Sequence, residues 1–236
     1  MNAAISVKRA LKNLIRNLGF EIKKKPDPSD KWVKVTNAIA HNSIDKMNEF
    51  YRDDRLLVDY ICEERIEFYK AVVELIKSRI DTLDNKKIAD IGCGTGHLLY
   101  YLQKEFKFQR ATGFDYSPEA IKVAKKLFPA FDFYEFDIYQ SHEQRFDILL
   151  CTEVLEHLLY PSRAFSNLLS MLRENGVLLI TVPNGRTDTF GGHINFWSPE
   201  SWKVFIDTSN GGHLSETGPI AKTEDNYAII YKSQKK

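Results

Sequence analysis

Short apolar runs recur through the last two thirds of the chain, and segments of helical spacing separate them. Lys87–Ile91 is a buried strand that runs into a glycine-rich turn and then a helix. Arg110–Asp115 and Phe131–Phe136 read as two further strands. Phe146–Cys151 and Val177–Val182 are near-continuous apolar runs, as expected of strands covered on both faces of a parallel sheet. Between them, Pro161–Arg173 places Ala164, Phe165, Leu168, Leu169 and Leu172 at helical spacing, and Asn175-Gly176 breaks the pattern. Ser198-Pro199-Glu200-Ser201 opens a helix to about Asp207, and weaker strands follow at His213–Thr217 and Tyr227–Tyr231. Strands alternating with helices predict an α/β fold with helices on both faces of the sheet.

The first 85 residues differ. Ala4, Val7, Leu11, Leu14 and Leu18 form an apolar stripe with Lys8, Arg9, Lys12 and Arg16 off it, and Lys23-Lys24-Lys25 comes next. Residues 3–19 therefore read as a basic amphipathic helix. Contact of residues 3–25 with an anionic membrane surface is one reading; docking on the chain's own domain or on a second copy in a homodimer is the other. Pro26–Asp30 is a linker by composition. Arg55–Ile80 is expected to be helical, with Ile61, Phe68, Val72, Leu75 and Ile76 facing a core. The division is thus a helical extension over 1–85 and an α/β domain over 86–236.

Chemistry enters at the turn after the first strand, Asp90-Ile91-Gly92-Cys93-Gly94-Thr95-Gly96. Its glycines let the main chain approach a ligand that a Cβ would push away. The spacing G-x-G-x-G departs from the dinucleotide fingerprint G-x-G-x-x-G, and no Lys-Ser/Thr is present to grip a phosphate. Asp115 ends the second strand 19 residues beyond Gly96, where a carboxylate can accept hydrogen bonds from ribose hydroxyls. Tyr116-Ser117-Pro118-Glu119 then starts a helix, with Ser117 as N-cap and Pro118 at the first position. Asp137-Ile138 closes the third strand.

These motifs resemble the class I S-adenosylmethionine (SAM) methyltransferases over roughly residues 86–232. The resemblance implies a doubly wound, seven-stranded, mostly parallel Rossmann-like sheet ending in a hairpin with one antiparallel strand. It implies SAM held by Asp90, Gly92, Cys93, Gly94, Gly96, Asp115, Tyr116, Asp137, Ile138 and Glu153. Asp137 would take the adenine amine, and Ile138 would pack on the ring. The N-terminal helices would cover the pocket, with Phe50, Tyr51 and Tyr60 as candidate lid residues.

Thr152-Glu153-Val154-Leu155-Glu156-His157-Leu158 comes after the fourth strand, at the sheet edge where open α/β folds bind ligands. As a helix it would put Glu153, Glu156 and His157 on one face. It resembles the E-V-x-E-H segment of ubiquinone-biosynthesis O-methyltransferases and small-RNA 2′-O-methyltransferases. In the small-RNA enzymes these residues and a later histidine, here matched by His193, bind Mg²⁺. Glu153, Glu156, His157 and His193 are accordingly the candidate ligands for a divalent Mg, Mn, Fe or Zn ion that would acidify an acceptor hydroxyl. A metal-free reading stands beside it, with His157 and His193 as general-base candidates, because imidazole titrates near neutral pH.

Charge and cysteine usage narrow the partners. Lys+Arg 33 against Asp+Glu 32 leaves a formal charge of +1, so no global field recruits nucleic acid. Three scattered cysteines without C-x-x-C predict a reducing, cytoplasmic setting. No apolar run reaches bilayer length, and a cleaved signal peptide is disfavoured. The expected activity is O-methylation of a hydroxyl on a small-molecule or lipid-linked acceptor such as a sugar, a polysaccharide precursor or a phenol. The N-G…G-G-H-I-N-F-W-S-P-E-S segment, similar to polysaccharide and secondary-metabolite methyltransferases, motivates the sugar. A catalytically silent SAM-fold binding subunit and an amino-sugar N-methyltransferase are the alternatives.

Overall fold

The computed structural model describes residues 37–53, 60–108 and 110–233. The chain divides into Met1–Thr36 and Asn37–Lys236. The helix expected over 3–19 and the linker over 26–30 lie outside the described residues, so the architecture is that of the second unit.

Seven strands form one sheet: β1 (Ile88–Ile91), β2 (Ala111–Asp115), β3 (Asp132–Glu135), β4 (Phe146–Thr152), β5 (Leu172–Val182), β6 (Leu214–Pro219) and β7 (Asn226–Tyr231). Their order is β3-β2-β1-β4-β5-β7-β6. The first five pair in parallel, and β7 runs antiparallel to both β5 and β6. The chain builds outward from β1 through β2 to β3, then crosses back to place β4 on the other side of β1. That reversal opens a crevice beyond the carboxyl ends of β1 and β4, the position where such sheets bind ligands.

Among the described residues, helices α1 (Ile44–Arg52), α2 (Glu63–Lys77), α3 (His97–Glu105), α4 (Pro118–Leu127), α5 (Pro161–Met171) and α6 (Pro199–Ser209) accompany the sheet. Successive strand residues point to opposite faces. Ile88, Ile148 and Leu150 join α2, α3 and α4 in one core layer. Ala89, Leu149 and Cys151 join α5 and α6 in the other. Coverage on both faces is why these strands carry no polar alternation. Trp202 anchors the second layer, its indole N–H donating to the Tyr227 carbonyl at 3.0 Å.

Three local expectations change. Of the helix expected over Arg55–Ile80, residues 55–59 lie outside the described residues and the described part spans Glu63–Lys77; Phe68, Val72 and Ile76 are buried as expected, but Ile61 is exposed. The chain turns at 60–62, which lets the Tyr60 hydroxyl meet that of Tyr51 at 2.5 Å. Helix α5 stops at Met171, and β5 starts at once, with a bulge between the Phe146–Leu172 and Ile148–Val177 pairs. Asn175, at φ 63°, forms that bulge. A Cβ on Gly176 would stand 2.9 Å from the Arg173 carbonyl oxygen. Finally, Glu153–Leu158 is not a regular helix: only Leu155–His157 makes a single 3₁₀ turn.

Candidate active site

The glycine loop closes onto β2. The Gly92 and Cys93 amides both donate to the Phe114 carbonyl, at 2.7 and 2.9 Å. Gly92 has φ 74° and Gly94 φ 51°, conformations that cost L-residues roughly 1–2 kcal/mol. A Cβ on Gly92 would meet Val154 Cγ2 at 2.3 Å, and one on Gly94 would crowd Tyr51 and Tyr60 at 3.1–3.2 Å. Tyr51 and Tyr60 therefore sit directly over the loop.

Asp115 is buried, and both its oxygens are used. Oδ2 accepts from the Gly94 amide and Oδ1 from the Ser117 amide, each at 2.9 Å. Burial lifts its pKa to about 6, against the opposing pull of those amides. Asp90 is equally buried, yet Oδ1 has no partner. Burial, and then the charge of Asp115, raise it to about 7. Cys93 is buried in the core with its thiol toward the Gly94 carbonyl. The Tyr116 hydroxyl donates to the Asn42 carbonyl at 3.1 Å. Asp137 is exposed and caps the Tyr139 amide at 2.9 Å, with Ile138 buried beside it.

On the other side of the crevice, β4 runs into Glu153, whose φ of 54° turns the chain sharply. Its amide bonds the Thr181 carbonyl at 3.1 Å, and its Oε1 accepts from the Thr181 hydroxyl at 2.9 Å. The helical face expected for Glu153, Glu156 and His157 does not form, and Glu153 does not join the converging ligand atoms. Those atoms belong to Glu156, His157 and His193 and lie within 4.8 Å of one another. The Glu156 side chain is 1% exposed, and neither oxygen has a hydrogen-bond partner. Its Oε1 lies 3.8 Å from His157 Nε2 and 3.9 Å from His193 Nε2, too far for a hydrogen bond.

The far ring nitrogens are engaged. His157 Nδ1 is 3.3 Å from the Gly192 carbonyl, and His193 Nδ1 is 2.6 Å from Asp188 Oδ2. The Glu156 carbonyl accepts the amides of Ile194 and Asn195, which docks the second histidine's segment on the first. Burial, and after it the charge of Glu153, pushes Glu156 well above the carboxylate range. Burial and Asp225 lift Glu153 to about 8. Burial, then the facing His193, lower His157 to about 4, and burial lowers His193. The Arg65 guanidinium on α2 opposes the rise of both glutamates. The centre therefore sets two imidazoles, whose burial disfavours the charged form, against an unpartnered carboxyl. Phe190, half-exposed, stands beside it with ring centroids 4.8 Å from His193 and 6.4 Å from His157.

Asp188, Arg65, Thr181 and the Gly192 carbonyl escaped the sequence reading. None carries a periodic signal, since Asp188 and Gly192 lie in an irregular stretch and Arg65 faces the site from the extension.

Comparison with known proteins identifies the scaffold. A family model described as a methyltransferase domain matches residues 63–210, more than half of the chain. The trans-aconitate 2-methyltransferase of Escherichia coli O139:H28 is 33% identical over 116 residues, which are 49% of this chain and 46% of that protein; the Shigella flexneri protein of the same name is 32% identical over equal shares. The chain thus spans about half the length of the curated relatives it matches. Among solved structures, the N-methyltransferase NodS of Bradyrhizobium japonicum WM9, in complex with S-adenosyl-l-homocysteine, has a TM-score of 0.63 at 19% identity, over 82% of this chain and all of that one. The methyltransferase domain of bacterial CtHen1 has a TM-score of 0.58 at 19% identity, over 72% and 100%. With the sheet order and the glycine loop, the match places this chain in the methyltransferase-domain family, as a class I SAM-dependent methyltransferase.

Proposed function

We propose that this enzyme transfers the SAM methyl group to a hydroxyl oxygen on an acceptor without carboxylates, a sugar ring or a phenol, free or lipid-linked. The observation that carries this reading is the convergence of Glu156, His157 and His193 across the crevice from the glycine loop. In the reaction an acceptor oxygen lone pair attacks the methyl carbon, and the C–S bond breaks with its electron pair passing to sulfur. The hydroxyl proton must then go to a base. The two imidazoles, whose Nε2 atoms face Glu156, supply one, and removing that proton is work that a carboxylate acceptor would not require. Glu153, Glu156, Asp188 and Asp225 crowd carboxyl groups together, and the repulsion among them already opposes ionisation of the two glutamates, so an acceptor rich in carboxylates, such as the one named for the Escherichia coli relative, is disfavoured. Phe190 offers a flat apolar face for the ring.

On the cofactor side, the loop Gly92–Gly96 would cradle SAM beside Asp90 and Cys93. Asp115 would take the ribose hydroxyls, Asp137 the adenine amine and Ile138 the adenine face, with Tyr116 and Glu153 at the edges and Tyr51 and Tyr60 as the lid. A divalent ion fits the orphaned Glu156 carboxylate and the two Nε2 lone pairs, and when bound it supplies a Lewis acid that acidifies the hydroxyl. His157 or His193 fills the same role as a base where no ion binds. The amine alternative draws on the same carboxylates, which would attract an ammonium group. Among the described residues no helix is long and apolar enough to cross a membrane; the basic stripe of residues 3–25 supports placement in the cytoplasm at a membrane surface.

The test is methyl transfer from radiolabelled SAM to a panel of sugars, phenols, amino sugars and carboxylic acids, with and without EDTA. Label in an ether linkage on a sugar or phenol is expected. Label only on carboxylates or amines overturns the acceptor assignment, and full activity in EDTA assigns the proton to a histidine alone.

A further inference from the structure

Residues 41–51 touch both sides of the crevice. On the acceptor side, the Asn42 side-chain amide donates to the Gly192 carbonyl at 2.7 Å, and the same oxygen lies 3.3 Å from His157 Nδ1. The His41 ring packs on that glycine: a Cβ on Gly192 would stand 2.6 Å from His41 Cδ2 and 2.5 Å from Phe190 Cε1. Only a residue without a Cβ permits so close an approach. His41 also meets Phe190 edge to face, with ring centroids 5.6 Å apart. On the cofactor side, the Asn42 backbone carbonyl accepts the Tyr116 hydroxyl at 3.1 Å. The Ser117 hydroxyl holds Asn48 one turn further on, and Tyr51 stands over Gly94. Asn42 thus reaches one side through its side chain and the other through its main chain.

Resting on the proposed placement of cofactor and acceptor on these two sides, we propose that Asn42 is a positioning residue through which an occupied cofactor site sets the acceptor loop 188–195. Cofactor held beneath Tyr51 restrains α1, and α1 restrains the turn that carries Asn42 at its start. Asn42 in turn fixes the Gly192 carbonyl beside His157, and His41 fixes Phe190 next to it. The hydrogen bond to Gly192 has one possible direction, because a carbonyl oxygen can only accept. The link therefore depends on a donor at position 42 and not on the shape of the side chain alone. Two sites joined in this way share a coupling free energy, and the coupling is reciprocal. The acceptor then binds more tightly to the cofactor-loaded enzyme than to the empty one, and the cofactor is held more tightly once the acceptor is in place.

Amide hydrogen exchange of the full chain, with and without S-adenosyl-l-homocysteine, provides the test and needs no acceptor. In wild type the ligand should slow exchange at the glycine loop and in α1. It should also slow the Ile194 and Asn195 amides, which dock on the Glu156 carbonyl, by at least about fivefold, the lower end of ordinary coupling between sites. Asn42→Ala should keep the slowing at the glycine loop and cut that at 194 and 195 to under about twofold. Asn42→Asp keeps the shape, but a carboxylate cannot donate to a carbonyl, so it should behave as Asn42→Ala does. Asn42→Gln retains the donor and should recover part of the effect. Gly192→Ala, which forces His41 and Phe190 away, should uncouple the two regions with Asn42 intact. Unchanged slowing at 194 and 195 in both Asn42→Ala and Asn42→Asp overturns the role of Asn42. Slowing confined to the glycine loop and α1 in wild type overturns the coupling itself. These readouts stay the same whichever acceptor is methylated, so failure of the coupling and failure of the acceptor assignment are separable.

Discussion

The two walls of the crevice bury carboxylates equally well and treat them in opposite ways. Asp115, on the cofactor side, is 5% exposed, and each oxygen takes a backbone amide. Glu156, on the acceptor side, is 1% exposed, and neither oxygen takes anything. Burial raises both pKa values, but the amides hold Asp115 to about 6 while Glu156 moves well above its ordinary range. A carboxylate whose lone pairs are fixed holds a loop in shape, and it presents the same geometry to every cofactor molecule. A carboxyl left without partners is costly in the folded state, and its cost is recovered when a cation or a transferred proton arrives. In the proposed function the first wall would recognise and the second would react.

The contrast breaks most readily on the cofactor wall. Gly94→Val places a branched side chain at φ 51°, in contact range of Tyr51 and Tyr60. SAM binding should fall below detection by calorimetry, with the fold retained by circular dichroism. Normal affinity would mean that the loop is not the cradle. The acceptor wall should respond differently. Glu156→Gln keeps the shape but loses the carboxyl that would take an ion or a proton, and turnover should drop by roughly 10²–10⁴-fold, with SAM affinity within about twofold. A matching loss of SAM affinity would erase the proposed division of labour.

A smaller effect concerns the one cofactor-side carboxylate that breaks the pattern. Asp90 has an unpartnered oxygen and a pKa of about 7, above its ordinary 3.8. Between about pH 4 and 7 the folded protein therefore keeps a proton that the unfolded chain has released, and this group's contribution to stability declines as pH rises through that window. Asp90→Asn removes the dependence. Relative to wild type, its unfolding free energy should gain on the order of 4 kcal/mol between pH 4 and pH 8. Denaturant melts at the two pH values measure this, and a constant difference would show that Asp90 stays ionised throughout.

The same contrast explains what could be read from the sequence. The glycine loop, Asp115 and the Ser117 cap were legible because their partners are close along the chain or one strand away: the Ser117 hydroxyl accepts the Ala120 amide at 3.2 Å, as the S-P-E pattern predicts. The alternation of layers was legible because doubly covered strands must be apolar throughout. The face that Glu153 would share in a helix does not form, because its amide bonds the Thr181 carbonyl and extends the β4–β5 ladder while its positive φ turns the chain. Asp188 was invisible because its meaning depends on His193, five residues away in a stretch with no period. Ile61 fits the helical pattern around it, but the turn at 60–62 that brings Tyr60 to Tyr51 exposes it.

The finest test lies where the lid meets the cofactor wall. Helix α1 carries Tyr51 and is tied to the start of α4 by one short bond, the Ser117 hydroxyl donating to Asn48 Oδ1 at 2.6 Å. The nearby Arg52–Glu119 ion pair has an arginine side chain that is 63% exposed, and exposed pairs contribute little. Asn48→Ala therefore removes the main polar tie while leaving the Ser117 cap of α4 in place. A neutral hydrogen bond contributes about 1 kcal/mol, so SAM affinity should fall by about fivefold if α1 closes on the bound cofactor. Asn48→Asp keeps the accepting oxygen and should retain most of the affinity. The melting temperature should shift little, since Asn48 is only partly buried. An unchanged dissociation constant in Asn48→Ala would show that Tyr51 rests over Gly94 without help from the remainder of α1, and recognition would then belong to the glycine loop and Asp115 alone.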